Sequence, residues 1–328
     1  MAIANPTILI MMTTYNGEEF LIQQIESICQ QSYSNWQLVV RDDGSSDQTL
    51  AILNTYAEKD ARIQVVQNQT DYHGAYPNFW GLVAYCKQLK AYDYYMFADQ
   101  DDVWDKDKLE VYMDFCSDKG LNEPLLVYGD MRIIDGDGQV TSNSLEANLG
   151  IAYTNAISTF FAHKVHGCNS FFNRCLFELA LPLSPEEPEA KYVSHDNYYT
   201  KFAALLGQVY YLPRPMMSYR RYGTNVTSQH AYDFRVKRIL KRISRIDSLA
   251  KDHALTYNQT LVAINRMRSL PLTQNQQKFL MQVELIIKRG GWFALYHVQM
   301  AKVDWGKPVK NISRKLLLLT KLYRQYTN

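Results

Sequence analysis

The segment that most restricts the fold is an aromatic and apolar run, residues 94–98, followed at once by Asp99-Gln100-Asp101-Asp102. The run predicts a buried strand, so the three carboxylates emerge at its C-terminal end. Like charges this close repel one another unless a cation or hydrogen-bond donors offset them. An Asp-x-Asp at a strand end suits a hard divalent cation held together with a substrate diphosphate. The alternative is that these aspartates only cap the helix that follows.

Strand and helix patterns alternate through the first 135 residues. Short apolar runs predict strands over residues 7–12, 36–40, 63–67 and 94–98, with a fifth strand beginning near residue 125. Helical spacing predicts helices over residues 19–31, 47–59, 76–89 and 106–117. Such alternation implies a parallel sheet with right-handed crossovers. The strand ends at Thr13, Asp42 and Asp99 then fall on one edge of the sheet and form one pocket.

Two of these strand ends carry further candidate ligands. Residues 13–17, Thr-Thr-Tyr-Asn-Gly, follow the first strand, and Tyr15 could stack on a flat base. Asp43 follows the second strand and could accept a hydrogen bond from a base N–H or a ribose hydroxyl, whereas Asp47 fits helix capping better. From local sequence alone, an ordinary strand-to-helix turn explains residues 13–17 better than a ligand-binding role does.

Later in the chain, Asp196 and the pair Arg220-Arg221 are candidates for chemistry. A single carboxylate such as Asp196 could deprotonate an acceptor hydroxyl, and its alternative role is a helix N-cap. Arginine suits bidentate recognition of phosphate, and a solvated loop is the alternative for Arg220 and Arg221. From residue 209 to 212 the pattern predicts a short strand that ends before Pro213.

Composition limits the class of protein. The 328 residues allow one large domain with an appendage or two domains, and a hydrophobic fraction of 47% supports a sizeable core. The 5 cysteines show no CxxC or metal-finger spacing, which favours free thiols in a reducing compartment. We expect no signal peptide and no membrane-spanning helix, because the start of the chain lacks a basic, apolar leader and no long apolar run exists.

Charge is distributed unevenly along the chain. Residues 231–328 contain 19 Lys and Arg against 5 Asp and Glu, whereas residues 1–230 contain 16 against 28. Basic residues alternate with apolar ones at helical spacing from about residue 233 and again over residues 313–326. The asymmetry favours an anionic partner for the C-terminal part, either a membrane surface or nucleic acid. These helices could instead pack on the rest of the chain or mediate a homodimer contact.

Several enzyme classes are disfavoured by missing motifs. The chain has no GxGxxG, GxxxxGK[ST], HExxH or GxSxG, which argues against standard dehydrogenases, P-loop enzymes, zincins and serine hydrolases. A sugar-phosphate nucleotidylyltransferase is disfavoured because residues 13–20 contain no Lys or Arg for a triphosphate. A nucleic-acid-binding protein would leave the aspartates unexplained, so we expect no nucleic-acid partner.

The motifs taken together resemble the family-2 inverting glycosyltransferases with the GT-A fold, most closely bacterial rhamnosyltransferases of cell-surface polysaccharide assembly. The resemblance is strongest from residue 8 to about 114 and extends to 227. It is carried by residues 13–17, 30–33, 42–49 and 99–104 in this order. It implies an α/β fold with a Rossmann-like, mostly parallel sheet flanked by helices and followed by a C-terminal helical extension.

The resemblance also implies roles for individual residues. Thr13, Tyr15 and Asp43 match positions that hold the nucleotide base, and Asp99 and Gln100 match those near the ribose and diphosphate. Asp101 matches the metal-binding Asp, with Mg²⁺ or Mn²⁺ implied, and Asp196 matches the catalytic base. Relatives often carry His where this chain has Tyr222, so either phosphate binding falls to Arg220 or Arg221, or metal coordination is weaker.

We therefore expect residues 1–230 to form the catalytic domain, with a nucleotide-sugar-binding part (1–135) and an acceptor-binding part (136–230). The implied reaction transfers a sugar, L-rhamnose from dTDP-rhamnose or else a hexose from a UDP-hexose, to a hydroxyl of a lipid-linked bacterial saccharide. Residues 231–328 would then lie on the anionic inner face of the cell membrane, which predicts a cytoplasmic, peripheral protein.

Overall fold

A computed structural model describes residues 5–222 and 246–327. The basic helix predicted from about residue 233 lies outside these residues. None of the described helices combines the length and apolar character that crossing a bilayer requires.

One mixed sheet contains all nine described strands: β1 (Ile8–Thr14), β2 (Trp36–Asp42), β3 (Ile63–Gln67), β4 (Tyr94–Ala98), β5 (Val103–Trp104), β6 (Leu125–Ile134), β7 (Val140–Ser142), β8 (Ser170–Asn173) and β9 (Gln208–Arg220). Their order is β3-β2-β1-β4-β8-β6-β9-β5, with β7 paired to β6. Strands β1 to β4 are parallel, as are β6 and β9, whereas β8 and β5 run antiparallel to their neighbours. The predicted mostly parallel sheet is thus confirmed.

Eight described helices connect the strands: α1 (Leu21–Cys29), α2 (Thr49–Lys59), α3 (Ala75–Cys86), α4 (Lys108–Cys116), α5 (Leu145–Leu149), α6 (Ala156–Phe161), α7 (Arg174–Leu179) and α8 (His195–Leu206). Four more form the described C-terminal part: α9 (Ile246–Met267), α10 (Gln274–Arg289), α11 (Gly291–Met300) and α12 (Pro308–Thr320). Residues 8–12 of β1 and all of β4 are buried, as expected of strands covered on both faces of a sheet, which explains their continuous apolar sequences.

Strand register brings the polar strand ends together. Thr14 lies opposite Asp42 across β1 and β2, and Met12 lies opposite Ala98 across β1 and β4. The residues that follow each strand therefore leave the sheet at the same edge. The sequence predicted this convergence correctly because parallel strands joined by crossovers all point the same way.

The last strand is much longer than the sequence indicated. The prediction of a short strand over residues 209–212 was wrong, because β9 continues through Pro213 and Pro215 to Arg220. Its pairing with β6 shifts register between Gly129 and Asp130. Irregular pairing of this kind tolerates proline, which cannot donate to the ladder. Strand β5, which pairs with the end of β9, was not predicted.

The C-terminal helices dock on the sheet-containing part through buried hydrogen bonds. Thr260 of α9 donates from its hydroxyl to the carbonyl of Phe160 at 2.7 Å. The Lys164 ammonium pairs with Asp304 at 2.9 Å. Apolar residues of α9 to α12 join the same core as the sheet. The two parts consequently enclose a common cavity.

Candidate active site

A cavity of about 1220 Å³ opens at the carboxyl edge of the sheet. Its walls come from the ends of β1, β2 and β4, the starts of α3 and α8, residues 161–168, the end of β9, and helices α9 and α12. Of the residues predicted for the site, eight line it: Thr13, Tyr15, Asp43, Asp99, Gln100, Asp101, Asp196 and Arg221. Arg220 does not.

The Gln100 side chain fixes the loop after β1 through two hydrogen bonds to the Tyr15 backbone. The side-chain carbonyl of Gln100 accepts from the Tyr15 N–H at 2.8 Å, and its amide donates to the Tyr15 carbonyl at 3.1 Å. The Tyr15 ring is 57% exposed and free to cover a planar ligand. A Cβ at Gly17 would lie 2.5 Å from the Gln100 carbonyl oxygen, so a larger residue there would displace the Gln100 side chain. Gln100 thus positions the loop as well as lining the cavity.

Asp43 is held by three donors at the end of β2. Its carboxylate accepts from the Asn68 amide and the Gly74 N–H, both at 2.7 Å, and lies 3.2 Å from Nδ1 of His73. Its neighbour Asp42 is fully buried and accepts from the Thr14 hydroxyl at 2.8 Å. The two adjacent aspartates therefore differ in role: Asp42 ties the strand ends together, and Asp43 faces the cavity.

The pKa values of Asp99, Asp101 and Asp102 are all raised, because burial disfavours their ionised forms. Burial, and then the charges of Asp101 and Asp196, raise the pKa of Asp99 to about 7. Burial also raises the pKa of Asp101, although a hydrogen bond from the Tyr222 hydroxyl opposes it. Burial and both neighbouring carboxylates hold the pKa of Asp102 well above its usual range. Carboxylates buried this close together are what a cation would stabilise.

A divalent cation fits these residues. Carboxylate oxygens of Asp99 and Asp102 and the Cys168 sulfur lie within 4.8 Å of one another. Asp102, however, is fully buried and accepts from the Arg220 N–H at 3.1 Å, so it lies behind the cavity wall. Asp99 and Asp101 line the cavity and offer the oxygen ligands that Mg²⁺ and Mn²⁺ prefer. Burial raises the pKa of Cys168 well above its usual range, which makes a thiolate ligand unfavourable.

Asp196 occupies the first turn of α8, where Ser194 and not Asp196 is the N-cap. Its Oδ2 accepts from the Gly167 N–H at 3.0 Å and lies 3.1 Å from Nε2 of His163. Burial raises the pKa of Asp196, but the charge and hydrogen bond of His163 outweigh burial and lower that pKa well below its usual range. Conversely, burial lowers the pKa of His163, but Asp196 raises it overall. The pair keeps the carboxylate ionised inside the cavity.

Arg220 and Arg221 point in different directions. The Arg220 guanidinium is buried and donates to the carbonyls of Asp101 (2.9 Å), Gly136 (3.1 Å) and Asp135 (3.2 Å). It therefore supports the wall of the site, and its predicted role in phosphate binding stays a prediction. Arg221 lines the cavity. The Tyr222 ring packs on the Phe20 ring with centroids 4.9 Å apart, and the Tyr222 hydroxyl donates a hydrogen bond to Asp101.

The sequence did not reveal several residues of the cavity wall. His163 and His166 lie in the segment before β8, and nothing local distinguishes them from ordinary histidines. The C-terminal helices contribute Asp252, Leu255, Thr256, Gln259, Lys310 and Arg314. Only the basic composition of residues 231–328 hinted at this part of the cavity.

The mixed sheet with acidic side chains at its carboxyl edge and a large cavity beside them is the arrangement of a glycosyltransferase of the GT-A fold. The profile of Glycosyl transferase family 2 matches residues 9–223, and the chain belongs to this family. Among solved structures, S. aureus TarS 1-349 in complex with UDP-GlcNAc is similar, with a TM-score of 0.53 at 17% identity, covering 98% of this chain and 92% of that chain. This similarity concerns the fold.

Among curated proteins, the dTDP-rhamnosyl transferase RfbG of Shigella flexneri is 26% identical over 267 residues, covering 76% of this chain and 87% of RfbG. An uncharacterized glycosyltransferase of Haemophilus influenzae is 34% identical over 133 residues, covering 40% of this chain. That match spans 50% of the Haemophilus protein. Sequence similarity is thus highest over a segment shorter than the whole chain.

Proposed function

We propose that this protein is an inverting glycosyltransferase that moves a sugar from a nucleoside diphosphate to a hydroxyl of a bacterial polysaccharide precursor. The observation that carries the proposal is the sharing of one cavity by two acidic groups of different character. Asp99 and Asp101 form a crowded pair suited to a cation, whereas Asp196 is kept ionised by His163. A single displacement needs these two functions on opposite faces of the donor sugar.

In this mechanism, Tyr15 covers the base, Thr13 and Asp43 bind the base and ribose side, and Gln100 holds the loop. Asp99 and Asp101 would hold Mg²⁺ or Mn²⁺, which when bound offsets charge on the leaving diphosphate. Asp196 accepts the proton of the acceptor hydroxyl as that oxygen attacks the anomeric carbon. Attack opposite to the leaving group inverts the anomeric centre, as in inverting glycosidases.

The donor we favour is dTDP-rhamnose, with a UDP-hexose as the alternative. Support comes from the similarity to RfbG, which is a dTDP-rhamnosyl transferase and shares 26% identity over most of its length. The family match argues against a sugar-phosphate nucleotidylyltransferase, as does the absence of Lys and Arg from residues 13–20, which leaves a triphosphate without a cation.

We further propose that the acceptor is lipid-linked and that the C-terminal part, residues 231–328, lies on the anionic inner face of the cell membrane. Two adjacent helices support this idea, because each exposes an apolar row, with Lys288 and Arg289 just before α11 and Lys315 on α12. The rows are Trp292, Tyr296 and Met300 on α11, and Val309, Ile312 and Leu316 on α12. We keep residues 1–230 as the catalytic domain, although α9 and α12 complete its cavity.

A donor panel tests the proposed function. Release of nucleoside diphosphate is measured with dTDP-rhamnose, UDP-glucose, UDP-galactose and UDP-N-acetylhexosamines, with and without Mn²⁺. We expect one donor to be turned over, and turnover to fall about 100-fold or more in Asp101→Asn and Asp196→Asn. Binding of no nucleotide sugar, or full activity of Asp196→Asn, would contradict the proposal.

A further inference from the structure

The segment between α6 and β8 carries two groups that hold the Asp196 carboxylate. Nε2 of His163 lies 3.1 Å from Oδ2 of Asp196, and the Gly167 N–H donates to the same oxygen at 3.0 Å. Residues 163–166 belong to no helix or strand, so regular backbone hydrogen bonding does not fix where His163 lies. The position of this imidazole therefore depends on what holds the segment from behind.

The residue next to His163 is a buried lysine. Lys164 is almost fully buried, and its ammonium donates to Asp304 at 2.9 Å and to the Gly150 carbonyl at 3.0 Å. A buried charge needs an opposite charge, and among the described residues Asp304 is the only carboxylate paired with this ammonium. Lys164 thus ties the His163 segment to the α11–α12 loop (residues 301–307).

Asp304 is fixed within the α11–α12 loop. Its Oδ1 accepts from the Asn311 amide at 2.9 Å and from the Gly306 N–H at 3.0 Å, while Oδ2 accepts from Lys164. Burial raises the pKa of Asp304, but these hydrogen bonds outweigh burial and lower that pKa below its ordinary value. The carboxylate is consequently ionised and held in one orientation toward Lys164.

Further contacts join the same two parts of the chain. The Asp304 N–H donates to the hydroxyl of Ser158, which lies on α6, at 2.9 Å. The backbones also approach closely before α6, where a Cβ added to Gly150 would lie 2.7 Å from the Gly306 Cα. The α11–α12 loop therefore contacts the chain before, within and after α6, and Lys164 supplies the charged contact.

We propose that Lys164 and Asp304 are positioning residues for the base Asp196. Neither of the two lines the cavity, whereas His163 and Asp196 do. The ion pair acts from behind the cavity wall, by holding the segment that carries His163 and Gly167 against the carboxylate. The proposal rests on the proposed function, in which Asp196 accepts the acceptor proton. It gives the C-terminal part a role in the transfer step besides lining the cavity.

The first test measures the pKa of His163 by NMR of its imidazole, with His163→Gln used to assign the signal. Burial lowers this pKa, but the charge and hydrogen bond of Asp196 outweigh burial and raise it, while Lys201 on α8 opposes them. In Lys164→Met/Asp304→Asn, which removes one charge of each sign, we expect the pKa to fall by about 0.5 or more, because the contact with Asp196 loosens. An unchanged pKa would overturn the proposal.

The matched control is Arg174→Met/Asp93→Asn. This ion pair is 2.8 Å long, and Asp93 also accepts from the N–H and hydroxyl of Thr7, so it resembles Asp304 in its number of partners. Asp93 precedes β4, whereas the cavity lies at the carboxyl end of that strand. Circular dichroism and urea unfolding compare fold and stability. We expect the control to keep the wild-type pKa of His163, and an equal fall in both would overturn the positioning role.

The second test measures turnover of the donor found in the panel. We expect kcat of Lys164→Met/Asp304→Asn to fall about tenfold and the donor KM to change less than about twofold, because a misplaced base slows the chemical step. Lys164→Arg, which keeps a cation for Asp304, should retain more of the wild-type kcat. Adding His163→Gln to the double variant should cause little further loss, since both act through one imidazole. Fully additive losses would overturn the proposal.

The two measurements separate this proposal from the proposed function. Absence of turnover of every donor by wild type would remove the proposed function, and the NMR titration would still decide whether the ion pair positions His163. Donor turnover by wild type, combined with an unchanged His163 pKa and an unchanged kcat in Lys164→Met/Asp304→Asn, would remove only the positioning role.

Discussion

Nε2 of His163 lies 3.1 Å from Oδ2 of Asp196, and the same nitrogen lies 2.6 Å from the carbonyl of Val165. Both neighbours are acceptors, so this nitrogen carries a proton. The imidazole consequently orients the Asp196 carboxylate and lowers its pKa. His163 acts here as a positioning residue for the proposed base.

Replacing His163 with Gln should move the acid limb of the pH profile of kcat to higher pH by about one unit or more. The sign follows from the pKa values: His163 lowers the pKa of Asp196, so removing it lets that pKa rise. Asp196 must be ionised to accept a proton, and in the variant it loses its charge at a less acidic pH. The check is kcat between pH 4 and 8. The wild type should show no acid limb from Asp196 in this range, because His163 holds that pKa well below its usual range, whereas the variant should show one, because burial then raises that pKa. An unchanged acid limb would mean that His163 only supports the fold.

Gly17→Ala should weaken donor binding with little effect on the rest of the fold. The added Cβ would meet the Gln100 side chain at 2.5 Å and displace it from the Tyr15 backbone. Loss of one such hydrogen bond, about 1 kcal/mol, predicts a donor KM raised about fivefold. Gly120→Ala is the matched control, because no described atom lies within 4 Å of its added Cβ. Equal KM values for the two variants would contradict the role of Gln100.

Arg220→Met should destabilise the protein by about 3 kcal/mol, because it leaves carbonyls of Asp101, Asp135 and Gly136 without a buried donor. Arg221→Met should cost less than about 1 kcal/mol, because its side chain faces the cavity. Urea unfolding of both variants gives the free energies of unfolding. Similar values for the two variants would show that the assigned roles are wrong.

The two arginines also illustrate what sequence can and cannot predict. The parallel strands and the convergence of Asp43 and Asp99 follow from local patterns that parallel topology aligns. Successive residues of a strand point to opposite faces, so one register step decides whether Arg220 or Arg221 reaches the cavity. That step was not predictable, because the extent of β9 through Pro213 and Pro215 was itself not predicted.

The site residues that come from distant parts of the chain could not be predicted from sequence either. Lys310 and Arg314 are more than 80 residues from the end of β9, and their place depends on how α12 packs against the catalytic part. Composition revealed an excess of basic residues but could not separate those that line a cavity from those in solvent. His163 gave no signal, since its partner Asp196 is 33 residues away.

The exposed apolar rows on α11 and α12 predict the surface through which the protein binds a membrane. Trp292 is 76% exposed and Tyr296 is 62% exposed, one turn apart. Aromatic side chains of this kind favour the interface between headgroups and acyl chains, and neighbouring cations attract anionic lipid. Trp292→Ser/Tyr296→Ser should therefore weaken binding to vesicles containing phosphatidylglycerol about tenfold or more, measured by co-sedimentation.

The control for this experiment removes apolar exposure elsewhere. Leu181→Ser/Val140→Ser changes two residues that are 58% and 52% exposed in the catalytic part, and it should bind vesicles like wild type. Replacing phosphatidylglycerol with phosphatidylcholine should weaken binding of the wild type, because the basic residues then lose their partners. If vesicle binding changes neither with lipid charge nor with the α11 substitutions, the two rows are instead assigned to a contact between protein copies. Sedimentation equilibrium of the same variants would detect that contact directly.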